Sequence, residues 1–214
     1  MQYVAHCMLY WASQEKTESS MSQIKEIQLR RASLADARAI ASIRIECWRT
    51  TYRGVIPDAY LDGMSIEESA AQWSTILAML PEKEQQICVF VAETDGQVIG
   101  FVSSTVLPIA KMGLQAELSG VYLLPAWQRC GIGKRMVQKV ARNLLAQGVN
   151  SLLVWVLSEN AIARNFFEEL SAIKLSQQAY NWDALDLMEV SYGWNDLSVL
   201  VASVEAFSHS NALH

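Results

Sequence analysis

Cysteine, histidine and proline are scarce in this chain, and each shortage excludes something. The four cysteines, Cys7, Cys47, Cys88 and Cys130, stand about forty residues apart and form no Cys-x-x-Cys pair. Neither a disulfide framework nor zinc-finger spacing is present, which fits a reducing compartment and a cytoplasmic location. The three histidines, His6, His209 and His214, all lie at the ends. Only four prolines and ten glycines occur in 214 residues, and no Pro/Gly-rich linker follows Met21. Charged residues make up 18%, with 17 Lys and Arg against 22 Asp and Glu, a net charge of −5. That balance does not suit a grip on phosphate backbones, so nucleic acid is excluded as the main partner. No apolar run approaches the roughly 20 residues needed to cross a bilayer. Met1 to Ala12 is apolar but has no basic leader, so no secretion signal is read there. Residues 1–20 are expected to be a mobile extension or sequence upstream of the true start.

Apolar side chains are abundant at 51%, enough for a full core. From Ile27 onward, strand-like and helix-like segments alternate in one α/β domain of mixed order. Ile27 to Arg31 reads as a short strand. Ser33 and Asp36 have capping-box spacing ahead of a helical face carrying Ile40, Ile43 and Cys47. Ser65 and Glu68 repeat that spacing before Trp73, Ile76, Leu77 and Leu80, a stripe stopped by Pro81. Residues Gly54 to Met64 are expected to form the loop between these helices. Ile87 to Glu93 and Val98 to Leu107 are strands joined at Asp95-Gly96, a hairpin pair that tolerates positive φ. Ala116 to Leu124 is a further strand, followed by a helix carrying Ile132, Met136, Val137, Val140 and Leu144 that closes at Gly148. Ser151 to Val156, an Asn160-capped helix, and strands at Ile173 to Ala179 and Leu187 to Tyr192 complete the domain. Leu197, Leu200, Val201, Val204 and Phe207 form a last apolar stripe at helical spacing, suited to packing on the domain or on a second copy in a homodimer.

The densest chemical signal is Gln128-Arg129-Cys130-Gly131-Ile132-Gly133-Lys134-Arg135, between a strand and a helix start. Glycines let backbone approach a ligand closely, and the unpaired N–H groups of the following helix favour phosphate oxygens. A dinucleotide fingerprint requires a third glycine where Met136 stands. A Walker A loop requires Gly and Ser or Thr where Gln128 and Arg135 stand. What remains resembles the Gln/Arg-x-x-Gly-x-Gly/Ala segment of the GNAT acyltransferases, in which such a loop holds the pyrophosphate of acetyl-CoA. Upstream, Ala116 to Pro125 resembles that family's bulged fourth strand, and downstream Asn160-x-x-Ala163-x-x-Phe166-Phe167-Glu168 resembles its Asn-x-x-Ala-x-x-Phe-Tyr-Glu helix.

The resemblance spans roughly residues 27 to 192 and implies a GNAT-like single domain over 21–195, with 196–214 as a C-terminal helix or tail. Its fold would be α/β (mixed α+β), with a central, mostly antiparallel mixed sheet flanked by helices and strands splayed at the cofactor cleft. It implies acetyl-CoA as cosubstrate and no metal. The implied contacts are Val121, Tyr122 and Leu123 of the strand, Gln128, Arg129, Cys130, Gly131, Ile132, Gly133 and Lys134 of the loop, and Asn160. Two positions depart from the family. Phe167 stands where many members have a tyrosine that protonates the departing thiolate, and Ser171-Ala172 replaces a Gly-Phe. A thiolate of pKa roughly 8.5 can also leave with solvent protonation.

Glu117 is the candidate base for an ammonium acceptor, acting through water; a solvent-facing strand glutamate stands beside it as the plain alternative. Trp48 to Leu61 resembles the Trp-x-x-x-Tyr-x-Gly-x-x-Pro segment of a subset of the family, which implies Tyr52 and Tyr60 at the acceptor, a small molecule or a protein amine, with core or loop packing as the plain alternative for both. Trp48 is read as core. Cys130 is read as a small filler, because the chemistry needs no covalent enzyme intermediate. The expected activity is N-acetyl transfer from acetyl-CoA to a primary amine by direct attack in a ternary complex. Its rivals are a catalytically degenerate acetyl-CoA-binding sensor and a binder of some other phosphate ligand.

Overall fold

Hairpins build the first half of the molecule. In the computed structural model, which describes residues 26–182 and 185–202, β1 (Gln28–Arg31), β2 (Ile87–Thr94), β3 (Gln97–Lys111) and β4 (Leu114–Leu123) pair antiparallel in that order. Asp95 and Gly96 turn between β2 and β3 with φ of 50° and 75°, the conformation a two-residue hairpin needs. A second turn of the same kind, Met112-Gly113 with φ of 56° and 80°, joins β3 to β4. Methionine is not a residue that announces positive φ, so β3 runs four residues past its expected end at Leu107. Beyond β4 come β5 (Leu152–Leu157), β6 (Ile173–Trp182) and β7 (Leu185–Trp194), giving a seven-stranded sheet ordered β1-β2-β3-β4-β5-β7-β6. Every neighbouring pair is antiparallel except β4 with β5. The sheet is therefore mixed and mostly antiparallel, as expected.

Both faces of the sheet are covered. On β2, Cys88, Phe90 and Ala92 join one core while Val89 and Val91 join another. That division explains why the strand reads as an unbroken apolar run. One core is closed by α1 (Ala37–Thr51) and α3 (Ile66–Met79), through Ile40, Ile43, Cys47 and Leu77. The other is closed by α4 (Ile132–Leu145) and α5 (Ala161–Glu169), through Ile132, Met136, Val140, Leu144, Phe167 and Leu170. The end of α5 is pinned to β7, where Tyr192 donates to Glu168 Oε1 at 2.8 Å and Trp194 Nε1 to the Leu170 carbonyl at 2.8 Å. A short helix, α6 (Ser198–Ala202), packs Leu200 against α4, with Gln138 donating to the Leu200 carbonyl. Residues 1–20, Val204 and Phe207 lie outside the described residues.

The segment Gly54 to Met64 is not all loop. It contains α2 (Asp58–Gly63), whose last carbonyls are capped by Arg49, with bonds to Leu61 at 2.9 Å, Asp62 at 3.2 Å and Met64 at 3.1 Å. One turn and a half of helix leaves too short a periodic signal to be read in sequence.

The Ser33–Asp36 box forms and is tied into a charge cluster, while at the second the Ser65 hydroxyl accepts the Glu68 N–H at 3.2 Å. Ser33 donates to Asp36 from its backbone N–H at 2.7 Å and from its hydroxyl at 2.9 Å. Arg30 on β1 holds both Asp36 oxygens at 2.8 Å and also donates to Glu93 on β2. Asp36 is 5% exposed. The hydrogen-bonded Arg30 guanidinium, seconded by Ser33, holds its carboxyl at about 2 against the upward push of burial. A carboxylate depressed in the folded state contributes stability that is complete above its unfolded pKa, near 3.9, and is lost as pH falls toward about 2. Asp36→Asn should therefore cost about 2 kcal/mol at pH 7, and urea unfolding curves of the variant and the parent should converge between about pH 4 and pH 2.

Candidate active site

The ladder between β4 and β5 is short. Only Ala116↔Leu152, Glu117↔Leu153 and Leu118↔Val154 pair, after which β5 continues against β7 alone. The cause lies on β4, where Ser103 faces Gly120 but Ser104 faces Leu118, leaving Ser119 as an extra residue. Such a bulge bends its strand and raises the local twist, which swings Gly120 to Leu123 away from β5. Leu124 donates its N–H to the Ile99 carbonyl on β3 at 3.0 Å. Strand alternation then turns the N–H groups of Val121 and Leu123 the other way, into the opening. The Leu123 carbonyl on that side is already taken, by Gln128 Nε2 at 2.8 Å and Cys47 Sγ at 3.3 Å. The opening thus presents two backbone donors with no strand partner, and an extended ligand carrying amide carbonyls matches them.

The same strand leads into the glycine loop. A 3-10 turn over Pro125–Trp127 is followed by extended Gln128, then Arg129 and Gly131 in the left-handed region at φ of 63° and 76°. The first bond of α4 runs from the Arg135 N–H to the Gly131 carbonyl, so the N–H groups of Ile132, Gly133 and Lys134 are the free donors of a fourteen-residue helix. Arg129, Cys130, Gly131 and Lys134 are exposed around them. A side chain at Gly131 would meet nothing within 4 Å, so the glycine serves the backbone turn and leaves space over the helix end. Gly133 answers to packing, because a Cβ there would come 3.3 Å from the Phe166 ring.

Several of the expected contact residues also make bonds within the protein. The Gln128 amide points back onto β4 and shapes the loop from inside. Ile132 is buried in the core at 1% exposure and offers only its backbone N–H. Asn160 caps α5 through Oδ1, which accepts the Ala163 N–H at 3.0 Å, and its Nδ2 donates to the Tyr52 hydroxyl at 3.1 Å. Oδ1 and one Nδ2 hydrogen thus hold α5 and α1 together, and the second Nδ2 hydrogen is left for a ligand. The Tyr122 ring stacks on Phe101 with centroids 4.8 Å apart, and its hydroxyl accepts from Trp48 Nε1 at 3.3 Å. Cys130 is exposed and free, its Sγ 3.4 Å from the Gln128 carbonyl.

On the α1 face of the sheet, Glu117 is half-buried, one residue before the last β4–β5 pair. Tyr52 closes α1, its ring edge-on to Trp48 at 5.2 Å. Burial pushes its phenol up to about 12. Tyr60 sits half-buried on α2. Phe167 is 5% exposed and packs against Phe166 and Trp194 at 5.1 and 6.0 Å, so that position belongs to the core. Sequence inspection passed over Trp155, the first β5 residue beyond the parallel pairs, over whose ring Lys111 Nζ lies at 5.1 Å. Strand alternation puts Trp155 on the face of its neighbour Leu153 and hence of Glu117, but only the observed pairing reveals this. Among the described residues no group of three or more His, Cys, Asp or Glu is placed to hold a metal, and no helix is long and apolar enough to cross a membrane.

Comparison with known proteins places this geometry in a family. The Acetyltransferase (GNAT) family model matches residues 40–171. A Bacillus subtilis protein named as an uncharacterized N-acetyltransferase, YuaI, is 33% identical over 175 residues, 81% of this chain and 96% of its own. The spermidine N(1)-acetyltransferase of Thermoplasma acidophilum is 21% identical over 141 residues, 66% of this chain and 84% of its own. The crystal structure of the PaiA N-acetyltransferase of the same organism, solved with coenzyme A, superposes with a TM-score of 0.60 at 21% identity, covering 79% of this chain and 99% of that one. With the family model matched over more than half of the chain, from within α1 through β2 to β5 and on through α5, the chain belongs to the GNAT acetyltransferase family.

Proposed function

We propose that this protein moves an acetyl group from acetyl-CoA to a primary amine by direct attack in a ternary complex. Membership of the family makes it an acetyl-CoA-dependent acyltransferase; the amine and the direct attack are the proposed parts. The observation that carries the reading is the opening between β4 and β5, with its two unpartnered N–H groups, leading into the N-terminus of α4. In this reading the free N–H groups of α4, with Arg129 and Lys134, hold the pyrophosphate of the substrate. Val121 and Leu123 pair with its extended arm. The same donors polarise the thioester carbonyl as negative charge develops on oxygen.

The acceptor arrives from the α1 side, where Glu117 faces and where Tyr60 walls the approach. An alkylammonium has a pKa near that of lysine, about 10.4, so it must lose a proton before its nitrogen can attack; Glu117 takes it through water. A degenerate binder is the second reading, favoured by the burial of Phe167, which leaves no hydroxyl at that position of α5.

Calorimetric titration with acetyl-CoA should give a dissociation constant of about 1 μM, roughly −8 kcal/mol, with much weaker binding of ATP. Equal affinity for ATP would return the loop to a general phosphate binder. Gly131→Glu puts a negative charge at the helix end, where no protein atom blocks it. It should lower acetyl-CoA affinity at least about 100-fold while positive φ costs the fold only about 1 kcal/mol. Retained affinity in the folded variant would remove the loop from the site. Thiol release should then be followed with spermidine, a simple alkylamine and a lysine-bearing peptide. In Glu117→Gln, turnover should drop about 10- to 100-fold with acetyl-CoA affinity unchanged, and kinetics equal to the parent would leave Glu117 as an ordinary strand residue.

A further inference from the structure

The group that departs in this reaction is a thiolate, which can take its proton from solvent but leaves faster where a fixed donor meets the developing charge. Phe167 offers none, and its burial against Phe166 and Trp194 shows that no rotation brings a donor there. Asn160 carries no dissociable proton, so it can stabilise a thiolate but cannot protonate it. Because its Oδ1 accepts the Ala163 N–H, the amide orientation is fixed and Nδ2 must be the donor toward Tyr52. Tyr52 Oη therefore accepts in that contact, and its own hydrogen is left over. Among the described residues no acceptor takes it.

Tyr52 is also positioned across the opening. Asn160 follows the end of β5, on one side. Trp48, one turn earlier on α1 and edge-on to Tyr52, donates to the Tyr122 hydroxyl on β4, on the other. The Trp48–Tyr52 pair thus bridges the two strands just where they separate. The backbone under Tyr52 is held at both ends. Its N–H bonds the Trp48 carbonyl at 3.0 Å, and its carbonyl accepts from Val55 at 3.0 Å and from buried Ile56 at 2.9 Å.

We propose that Tyr52 is the proton donor to the CoA sulfur, supplying from the end of α1 the hydrogen that α5 cannot; this rests on the acetyl-transfer reading above. As the amine nitrogen forms the C–N bond and the C–S bond breaks, the bonding pair goes to sulfur and the Tyr52 hydroxyl hydrogen goes with it. The ammonium substrate gives up two protons overall. One returns through solvent to the Tyr52 oxygen and the other leaves to bulk. Asn160 Nδ2, already donating to that oxygen, stabilises it while it is a phenolate. Burial keeps the phenol protonated across the pH range in which the amine is released for attack. Sequence resemblance had assigned Tyr52 to the acceptor, and the two roles differ in what they predict.

The test uses the full chain with whichever amine of the panel turns over fastest. Tyr52→Phe should lower kcat about 100-fold, with the amine KM and the calorimetric acetyl-CoA affinity both within about 3-fold of the parent. A raised amine KM with unchanged kcat would overturn the proposal in favour of an acceptor-wall residue. A ring-fluorinated tyrosine at position 52, whose phenol is more acidic, should bring the alkaline limb of the kcat profile down in pH. A limb that stays where the parent's is would overturn the proposal even if the phenylalanine variant folds poorly. A parent protein that binds acetyl-CoA but releases no thiol with any amine overturns acetyl transfer and Tyr52 together. Turnover that survives Tyr52→Phe at full kcat overturns Tyr52 alone.

Discussion

The parallel ladder between β4 and β5 stops after three residue pairs, and the site depends on that stop. Leaving backbone groups of two adjacent strands unpaired is costly inside a sheet, because each N–H and carbonyl gives up a hydrogen bond. The molecule limits that cost on one side only. The Leu123 carbonyl is satisfied by Gln128 and Cys47, whereas the N–H groups of Val121 and Leu123 are left facing the opening. On β5 the far edge is satisfied by β7, so the strand stays straight while β4 swings away. The Ser119 bulge thus converts part of a sheet into a slot lined with donors, and only its partner strand had to be held in place.

Around the slot, rigidity comes from the two cores. Ile132 and Met136 anchor the first turn of α4 in the core shared with β3, β4 and α5, so its free N–H groups are aimed by packing. Gly133 lets α5 approach closely, since a Cβ there would crowd the Phe166 ring at 3.3 Å. The α5 N-cap is thereby held near the slot and reaches Tyr52 through Asn160. On the opposite face, Trp73, Phe101 and Tyr122 form an aromatic row with centroid spacings of 5.1 and 4.8 Å, and Tyr122 hands the contact on to Trp48. An aromatic wall and the glycine loop are therefore both anchored on the same strand, β4.

Charge plays its structural part away from the slot. The Arg30, Asp36 and Glu93 cluster joins β1, β2 and the start of α1 at the first edge of the sheet. It fixes where α1 begins, and fifteen residues of helix later Tyr52 is delivered to the mouth of the opening. Arg49 performs the matching task at the other end by capping α2.

Local sequence determined what local physics controls. Asp95-Gly96 reveals its hairpin because few residue pairs accept two positive φ angles, and the Ser33 and Ser65 boxes mark helix starts because a hydroxyl or carboxylate three residues away satisfies an orphan donor. The Gly131 loop was legible for the same reason. Met112-Gly113 was not, since the hairpin there is imposed by pairing of the flanking strands against the preference of methionine. Nor was α2, whose short helix is held by an arginine from a different element. The roles of Gln128 and Asn160 were only half visible: spacing placed them beside the site, but whether an amide faces a ligand or the protein depends on partners supplied by folding. Tyr52 and Asn160 lie 108 residues apart, and nothing in either segment specifies the other. Their hydrogen bond exists because two helices from opposite faces of the sheet end at the same break in it, a juxtaposition that only the tertiary structure creates.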